Sequence, residues 1–472
     1  MSNQFKMGFA TSLEESSIDA IRVQGALPPW LSGSLVRTGP ARFEVGEQQL
    51  RHWFDGLARL DAFTFTDGRV SYASRFLDSR ESRAAQDGKV SFREFATDPC
   101  RAIFSRFFSL FVDWTDNANV NVSRIGSRFV AMTETPLPIE FDPSTLETVG
   151  VVGFDDSLAA HTTTAHPHRD PSGDGLINYV ARYSRRSRYH VYRLNGGSRR
   201  ELIDTVTVKE PAYMHSFAVT DNYVVLAEFP LVVNPLRLLL LGRPFIENFR
   251  WKPERGTRFI VVNRRGEGQV VTYETGPFFA FHHVNAFEEG HEIVLDIAAY
   301  DDPSIIGALY LDVLRSDSPT IPKSYLRRYR LVPGKPSADY EPLSETPLEL
   351  PRINYSQRHA KRYRFAYGAS TKDGRTDEFL DQIAKVDLAD GDAKVWREAS
   401  CYPGEPVFVP APGASAEDDG VVLSVVLDAA RDVSFLLVLD GRSFTELGRA
   451  EVEQRLPFYF HGQYFPDVEA AS

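Results

Sequence analysis

Histidine is scarce in this chain, eleven of 472 residues, and several of the eleven sit among apolar or aromatic neighbours that predict burial. They are His166 and His168 in Thr-Ala-His-Pro-His, His215 in Tyr-Met-His-Ser-Phe, His282 and His283 in Phe-Phe-Ala-Phe-His-His-Val-Asn, and His461 in Phe-Tyr-Phe-His-Gly. A buried neutral imidazole is a ligand for a borderline metal such as iron, zinc or copper. The steps from 166 to 215, 282 and 461 are too long for a local metal loop. Taken singly, each histidine is better explained as a core or surface residue. A closed fold could nevertheless bring one histidine from each of several blades to a common axis. Four neutral imidazoles would leave the double charge of a bound ion uncompensated. The usual remedy is carboxylates that accept the ligands' outer N–H groups, fixing the tautomer and supplying negative charge. Three glutamates stand in suitably apolar settings: Glu134 in Met-Thr-Glu-Thr-Pro, Glu349 in Leu-Glu-Leu-Pro and Glu405 in Gly-Glu-Pro-Val-Phe. Judged alone, each reads as a partly exposed glutamate beside a turn proline.

Other chemistries lack their signatures. The chain contains no GxxxxGK[ST], no GxGxxG after a strand, no GxSxG and no HExxH,. Fifty-three basic against 64 acidic residues give a formal charge of −11, so no overall positive field recruits nucleic acid,. Cys100 and Cys401 are too few for a disulfide framework in a chain of this length, which predicts a reducing compartment, the cytoplasm,. The opening residues, MSNQFKMGFATSLEESS, have no basic region followed by an apolar run and predict no secretory signal,. The most apolar stretch, Leu231 to Leu241, is interrupted by Asn234, Pro235 and Arg237 and falls far short of the roughly 20 residues of a membrane-spanning helix,.

The elements that would position these residues read as strands. Short runs rich in β-branched and aromatic residues recur between Gly, Asp and Asn: Tyr223 to Glu228, Phe259 to Asn263, Gln269 to Tyr273, Ile293 to Ile297, Val421 to Leu427 and Phe435 to Leu439,. Residues 263–268 read as a glycine-bearing hairpin turn. Two segments open with Asp-Pro, a helix-start signal, and predict helical insertions near 98–113 and 302–315,. A long all-β chain must close or cover its strand edges, which leaves sandwiches, barrels and propellers. No linker divides the chain, so a single domain over 1–472 is expected.

As an ordered set, several blocks resemble the carotenoid cleavage oxygenase family over nearly the whole chain. They are His52-Trp53-Phe54-Asp55-Gly56, Thr133-Glu134-Thr135, Ala165-His166-Pro167-His168, His215-Ser216-Phe217, Phe281-His282-His283-Val284-Asn285, Glu349-Leu350-Pro351, Glu405-Pro406-Val407-Phe408 and Phe460-His461-Gly462. The resemblance implies an all-β fold, a seven-bladed β-propeller with a helical and loop cap, and Fe(2+) on the axis. By motif the implied ligands are His166, His215, His282 and His461. Glu134, Glu349 and Glu405 would back three of them, and Thr133 would lie near the open side of the metal. His282 is preferred to His283 because the family pattern reads Phe-His-x-x-Asn. Within the family, Asp98 to Phe108, Glu417 to Val426 and Arg449 to Glu453 resemble the animal branch of β-carotene oxygenases and the retinoid isomerohydrolase, while the compact length suits a microbial member.

The activity so implied is dioxygenase cleavage of a carotenoid double bond by O2 to two aldehydes, foremost β-carotene at its central 15,15′ bond to retinal. Eccentric or apocarotenoid cleavage and retinyl-ester isomerohydrolysis remain alternatives, as does a non-catalytic carotenoid-binding propeller. A bilayer-dissolved substrate calls for an apolar doorway. The Leu231 to Leu241 run, with Arg237 and Arg243 interleaved, suits a membrane-contact patch over 231–251,; a core or dimer contact is the alternative. Cys100 beside the first helix could be acylated, although a buried thiol is the plainer expectation.

Overall fold

The structure, a computed structural model, describes residues 3–98, 114–158, 160–240 and 243–469. Among these, seven antiparallel sheets of four to six strands follow one another around a ring, the blades of a seven-bladed propeller. Each blade runs from an inner strand outwards. The inner strands are Asn121–Ile125, Thr162–Thr163 with His168–Arg169, Ala218–Val219, His283–Glu289, Glu349–Arg352, Cys401–Pro403 with Val407–Pro410, and His461–Phe465.

Middle strands such as Gly420–Asp428 and Val433–Asp440 are buried along nearly their whole length rather than on alternate residues. Each is covered on both faces because neighbouring blades pack against it, which is why the sequence shows continuous apolar runs there. The core is accordingly a series of contacts between blades. Leu35, Phe63 and Tyr72 meet Leu423, Leu436 and Ala450. Val191 and Ile177 meet Leu226 and Val262. Each such fully buried aliphatic side chain contributes about 1.5–3 kcal/mol.

Two strand exchanges close the ring. Arg22–Gly25 adds to the edge of the last blade, pairing with Gly448 to Glu451, while His461–Phe465 returns to pair with Ser34 to Thr38 of the first. Both seams need glycine. Gly25 (φ +85°) lies against the Leu447 carbonyl and Gly33 (φ +115°) against that of Phe465, so a Cβ at either position would meet backbone in a conformation L-residues seldom adopt,.

The strand expectations hold, with Tyr223–Glu228 reproduced to the residue. The third run is displaced: the strand is Val271–Thr275, because the hairpin loop uses Gly266 (φ +70°) and Gly268 (φ +83°) and extends two residues beyond the expected turn. The expected helix near 302–315 is two short ones, Ser304–Ala308 and Leu311–Leu314, broken at Tyr310, whose ψ of 140° is extended. Asp302 Oδ1 accepts the Ser304 amide at 2.8 Å, the capping contact the Asp-Pro signal implied. The expected helix near 98–113 and Cys100 lie outside the described residues, apart from Asp98. In the Leu231 to Leu241 run, Leu231, Val232, Val233 and Leu238 are buried, and Leu236 is exposed on the helix Pro235–Leu240. Among the described residues no helix is long and apolar enough to cross a membrane.

Candidate metal centre

Four histidines converge on the propeller axis. His166, His215, His282 and His461 come from four different blades, and a ring nitrogen of each lies within 4.8 Å of the others. The Nε2 atoms of His166 and His215 are 3.0 Å apart, and those of His282 and His461 3.1 Å. Two imidazole nitrogens about 2.1 Å from one ion and at right angles would be about 3.0 Å apart. The donor set fits a metal ion.

Local structure aims each ring. His166 sits in the break of its blade's inner strand, where Asn121 Nδ2 donates to the Ala165 carbonyl (2.9 Å) and Asn178 Nδ2 to that of Thr164 (3.1 Å). The loops bearing His215 and His282 are tied together by Ser216 Oγ, which donates to the Phe281 carbonyl (2.7 Å) and accepts the His283 amide (2.9 Å). His461 opens the closing strand, directly opposite Thr38, so the fourth donor arrives only when the ring is closed.

The three glutamates stand behind three of the four rings. Glu134 Oε1, Glu349 Oε2 and Glu405 Oε1 lie 2.6 Å from Nδ1 of His215, His282 and His461 respectively. Each contact holds the Nδ1 proton and turns the Nε2 lone pair to the axis. Burial pushes the His166, His215 and His461 imidazoles below their ordinary value, that of His461 to about 4 against the pull of Glu405, so all three are neutral donors near pH 7,. Burial works to raise the Glu349 carboxyl, but the His282 ring, the Leu350 amide and the Tyr300 hydroxyl together hold it below the usual range. Against the same burial, Arg352 and then His461 hold Glu405 at about 2.

Three participants escaped the sequence reading. Tyr213 donates to Glu134 Oε1 (2.8 Å) and Tyr300 to Glu349 Oε1 (3.0 Å). Arg352 forks onto Glu405, Nε to Oε1 at 2.8 Å and Nη2 to Oε2 at 3.0 Å. Tyr213, two residues before His215, could have been suspected; Tyr300 carries no sequence signal. Arg352 reaches the axis through a register shift between Glu349 and Arg352, with Leu350 at φ +51°, which turns both charged side chains inwards from one short strand,. Its charge changes the account of the site. Three carboxylates were set against a dication, but Arg352 neutralises one, leaving a net −2 that balances a 2+ ion.

His168 and His283 lie apart from the cluster. The His168 ring contacts the Tyr355 hydroxyl and the Phe217 carbonyl, and the His283 ring the Ser216 hydroxyl. The cluster forms a partition between two cavities. On the cap side is a cavity walled by Trp53, Phe54, Phe95, Phe281 and Phe460, with Thr133, His215, His282 and His461 at its floor. Ile305 of the helix Ser304–Ala308 and Leu309 just beyond it complete its wall. On the other side is a polar cavity bordered by His166, His282, His461, Arg352 and Gln463.

This fold and site have relatives. The family model described as retinal pigment epithelial membrane protein matches residues 9–466. A mitochondrial carotenoid-cleaving dioxygenase of Mustela putorius furo is 36% identical, over 96% of this chain and 95% of that protein. A β,β-carotene 15,15′-dioxygenase of Mus musculus is 34% identical, over 95% and 89%. Among solved structures, a variant of the Synechocystis apocarotenoid oxygenase superposes with a TM-score of 0.87 at 27% identity, and the cobalt-substituted enzyme with 0.88 at 26%, each over 98% of both chains. The chain belongs to the carotenoid oxygenase family.

Proposed function

We propose that the protein is an Fe(2+)-dependent dioxygenase that cleaves one double bond of a carotenoid with O2, each carbon of the bond taking one oxygen atom to give two aldehydes. The observation that carries this reading is the set of four converging imidazole nitrogens at the floor of an aromatic-walled cavity. His166, His215, His282 and His461 would hold the iron, with Glu134, Glu349 and Glu405 fixing three of the rings. The 3.0 and 3.1 Å spacings are close enough for each pair of these nitrogens to share one ion,. Ferrous iron bound there would supply the one-electron chemistry that lets triplet O2 react with a closed-shell alkene.

The chain's own residues do the rest. Phe54, Phe281 and Phe460 pack around the floor and hold a flat polyene over the axis; Phe54 lies 5.0 Å from Phe460 and 5.7 Å from Phe281 between ring centroids. The apolar wall excludes water, and its length on either side of the axis selects the bond presented. Thr133 lines the same cavity as His215, His282 and His461 and would lie near the open side of a bound iron. We place the enzyme in the cytoplasm, meeting a membrane surface around Leu236 and Arg237, from which its substrate enters.

The test is anaerobic iron loading followed by β-carotene in detergent, with and without O2. Retinal as sole product, formed only with O2, is expected for cleavage at the 15,15′ bond; a longer apocarotenal would move the cut, and no oxygen-dependent product would overturn the dioxygenase reading. His282→Ala should abolish iron binding, and a folded variant with stoichiometric iron would refute the ligand assignment.

A further inference from the structure

The wall of the cap-side cavity carries one lysine among the described residues, Lys323, from the segment between the helix Leu311–Leu314 and the strand Tyr325–Leu331. Its Nζ donates to the carbonyl of Glu378 at 2.7 Å, and Phe379 and Leu380, the next two residues, line the same cavity. Both ends of that hydrogen bond therefore belong to the wall. Phe379 is 5.8 Å from Trp53 between ring centroids, and Trp53 4.3 Å from Phe460, the residue before His461. The contact is not needed to join the two segments, which the Ile321 amide already ties to the Thr376 carbonyl at 2.7 Å.

A lysine kept as an ammonium has three donors to satisfy, and the fold shows elsewhere how that is done. Lys385 is 4% exposed, and its Nζ donates to Asp418 Oδ2 at 2.6 Å and to the Gly441 carbonyl at 2.7 Å. Lys323 has the Glu378 carbonyl alone, and among the described residues no carboxylate lies within ion-pair distance of it. One acceptor leaves an ammonium two donors short, whereas a neutral amine gives one N–H to the carbonyl and keeps its lone pair free. Burial lowers the ammonium to about 8 against the pull of Asp381, Glu378 and Asp377, with Arg375 assisting, so a share of the protein carries the amine near pH 7,. A desolvated amine in an apolar pocket is the form of lysine that condenses with carbonyl compounds. The reaction proposed for this cavity delivers aldehydes into it.

We propose that Lys323 is a covalent binding site for the aldehyde product, which it holds as an imine between Nζ and the former carbonyl carbon. The lone pair of the neutral amine attacks that carbon, and the π pair of the C=O bond moves to the oxygen. Both N–H protons leave with the oxygen as water, so the step consumes no oxidant or reductant. The imine keeps a reactive, poorly water-soluble aldehyde at the cavity wall until water reverses the step. The inference rests on the aldehyde-forming reading of the cavity, and its test supplies the aldehyde directly. The iron-loaded enzyme is kept anaerobic, given retinal in detergent, and treated with cyanoborohydride, which reduces an imine to a stable amine. Peptide mass spectrometry then locates the retinyl groups. Lys323 should carry most of the label at pH 7, and excess β-carotene should displace it. An exposed lysine ordinarily titrates near 10.4, so the label at Lys323 relative to surface lysines should fall about tenfold or more between pH 7 and 10. Lys323→Arg should lose the label and keep its iron. Label spread over surface lysines with none concentrated at Lys323, or a Lys323 label that β-carotene does not diminish, would overturn the proposal. The wild-type map needs no variant to fold. Aldehydes formed from carotenoids without label at Lys323 would overturn this inference and leave the dioxygenase reading standing. Label at Lys323 in an enzyme that forms no aldehyde from any carotenoid would do the reverse.

Discussion

If Arg352 sets the net charge at the axis, substitutions at Arg352 and Glu405 should act on metal affinity in opposite directions and largely cancel. Glu405 lies one imidazole ring behind the Nε2 cluster, with its Oε1 2.6 Å from His461 Nδ1. A carboxylate about 7 Å from a bound dication, in a medium of effective dielectric about 20, attracts it by roughly 2 kcal/mol per unit of ion charge. Screening and relaxation cut the observable effect to the 10–100-fold loss typical when a ligand's carboxylate partner is removed. Glu405→Gln should therefore bind Fe(2+) some tens of times more weakly, and it also leaves the guanidinium of Arg352 facing the axis without its partner. Arg352→Gln should bind the metal at least as tightly as the wild type. Its apo form should be destabilised by about 3–5 kcal/mol, because a buried carboxylate has lost its counter-ion. The double variant should recover most of the affinity lost by Glu405→Gln, since it keeps Glu134 and Glu349 and restores the net −2. Anaerobic competition titration with a chromogenic chelator reads the three affinities, and thermal melting of the apo proteins reads the stabilities. A double variant that binds more weakly than Glu405→Gln alone would refute the charge account and leave Arg352 a purely geometric role.

Two further outcomes follow from other parts of the molecule. Burial lowers His52 to about 3 and His168 to about 4, so the folded state keeps both neutral at pH values where the unfolded chain protonates them. Their stabilisation is full above about 6.5 and is lost as pH falls towards those values; by pH 5 each costs about 2 kcal/mol, and urea midpoints should fall between pH 7 and 5. A midpoint that is flat over that interval would show that the two rings are protonated in place. At the closure, Gly33→Ala forces a Cβ against the Phe465 backbone at φ +115° and should cost more than the roughly 1 kcal/mol of an ordinary Gly–Ala conformational penalty,. It should also loosen the strand that carries His461, lowering metal affinity, whereas Gly68→Ala, with φ +75° and open space around the Cβ, should lower stability alone. Equal metal affinity in the two variants would disconnect the seam from the site.

The legibility of the sequence followed what each signal depends on. Strands such as Tyr223–Glu228 and Gly420–Asp428 could be read because burial on both faces writes a continuous apolar run, a local property. The closing strand Arg22–Gly25 could not: it is a four-residue edge strand, mostly exposed, and its role depends on a partner more than 400 residues away. The ligand histidines sit between these cases. Each is unremarkable alone, and only their order with the Glu134, Glu349 and Glu405 blocks marked them as a set. Arg352 was missed for a further reason. In an ordinary strand, three residues on from Glu349, it would face away from Glu349, and the irregularity at Leu350 that turns it inwards has no residue type to announce it.

The same irregularity bears on how the two sides of the partition differ. His215 borders only the aromatic cavity, His166 only the polar one, and His282 and His461 border both. Charge compensation is laid out on the same plan. Glu134 and Glu349 border the aromatic cavity, each bonded by a tyrosine hydroxyl that keeps it solvated without water. Glu405 borders the polar cavity, where the guanidinium of Arg352 meets it. A tyrosine satisfies a carboxylate without cancelling its charge, and an arginine cancels it. The negative charge that balances the metal is thus concentrated towards the dry side, where low polarity makes each unit count for more, and is neutralised on the wet side, where water can supply the balance. That asymmetry would let one ring of histidines face an apolar cavity and a polar one at once while holding a dication.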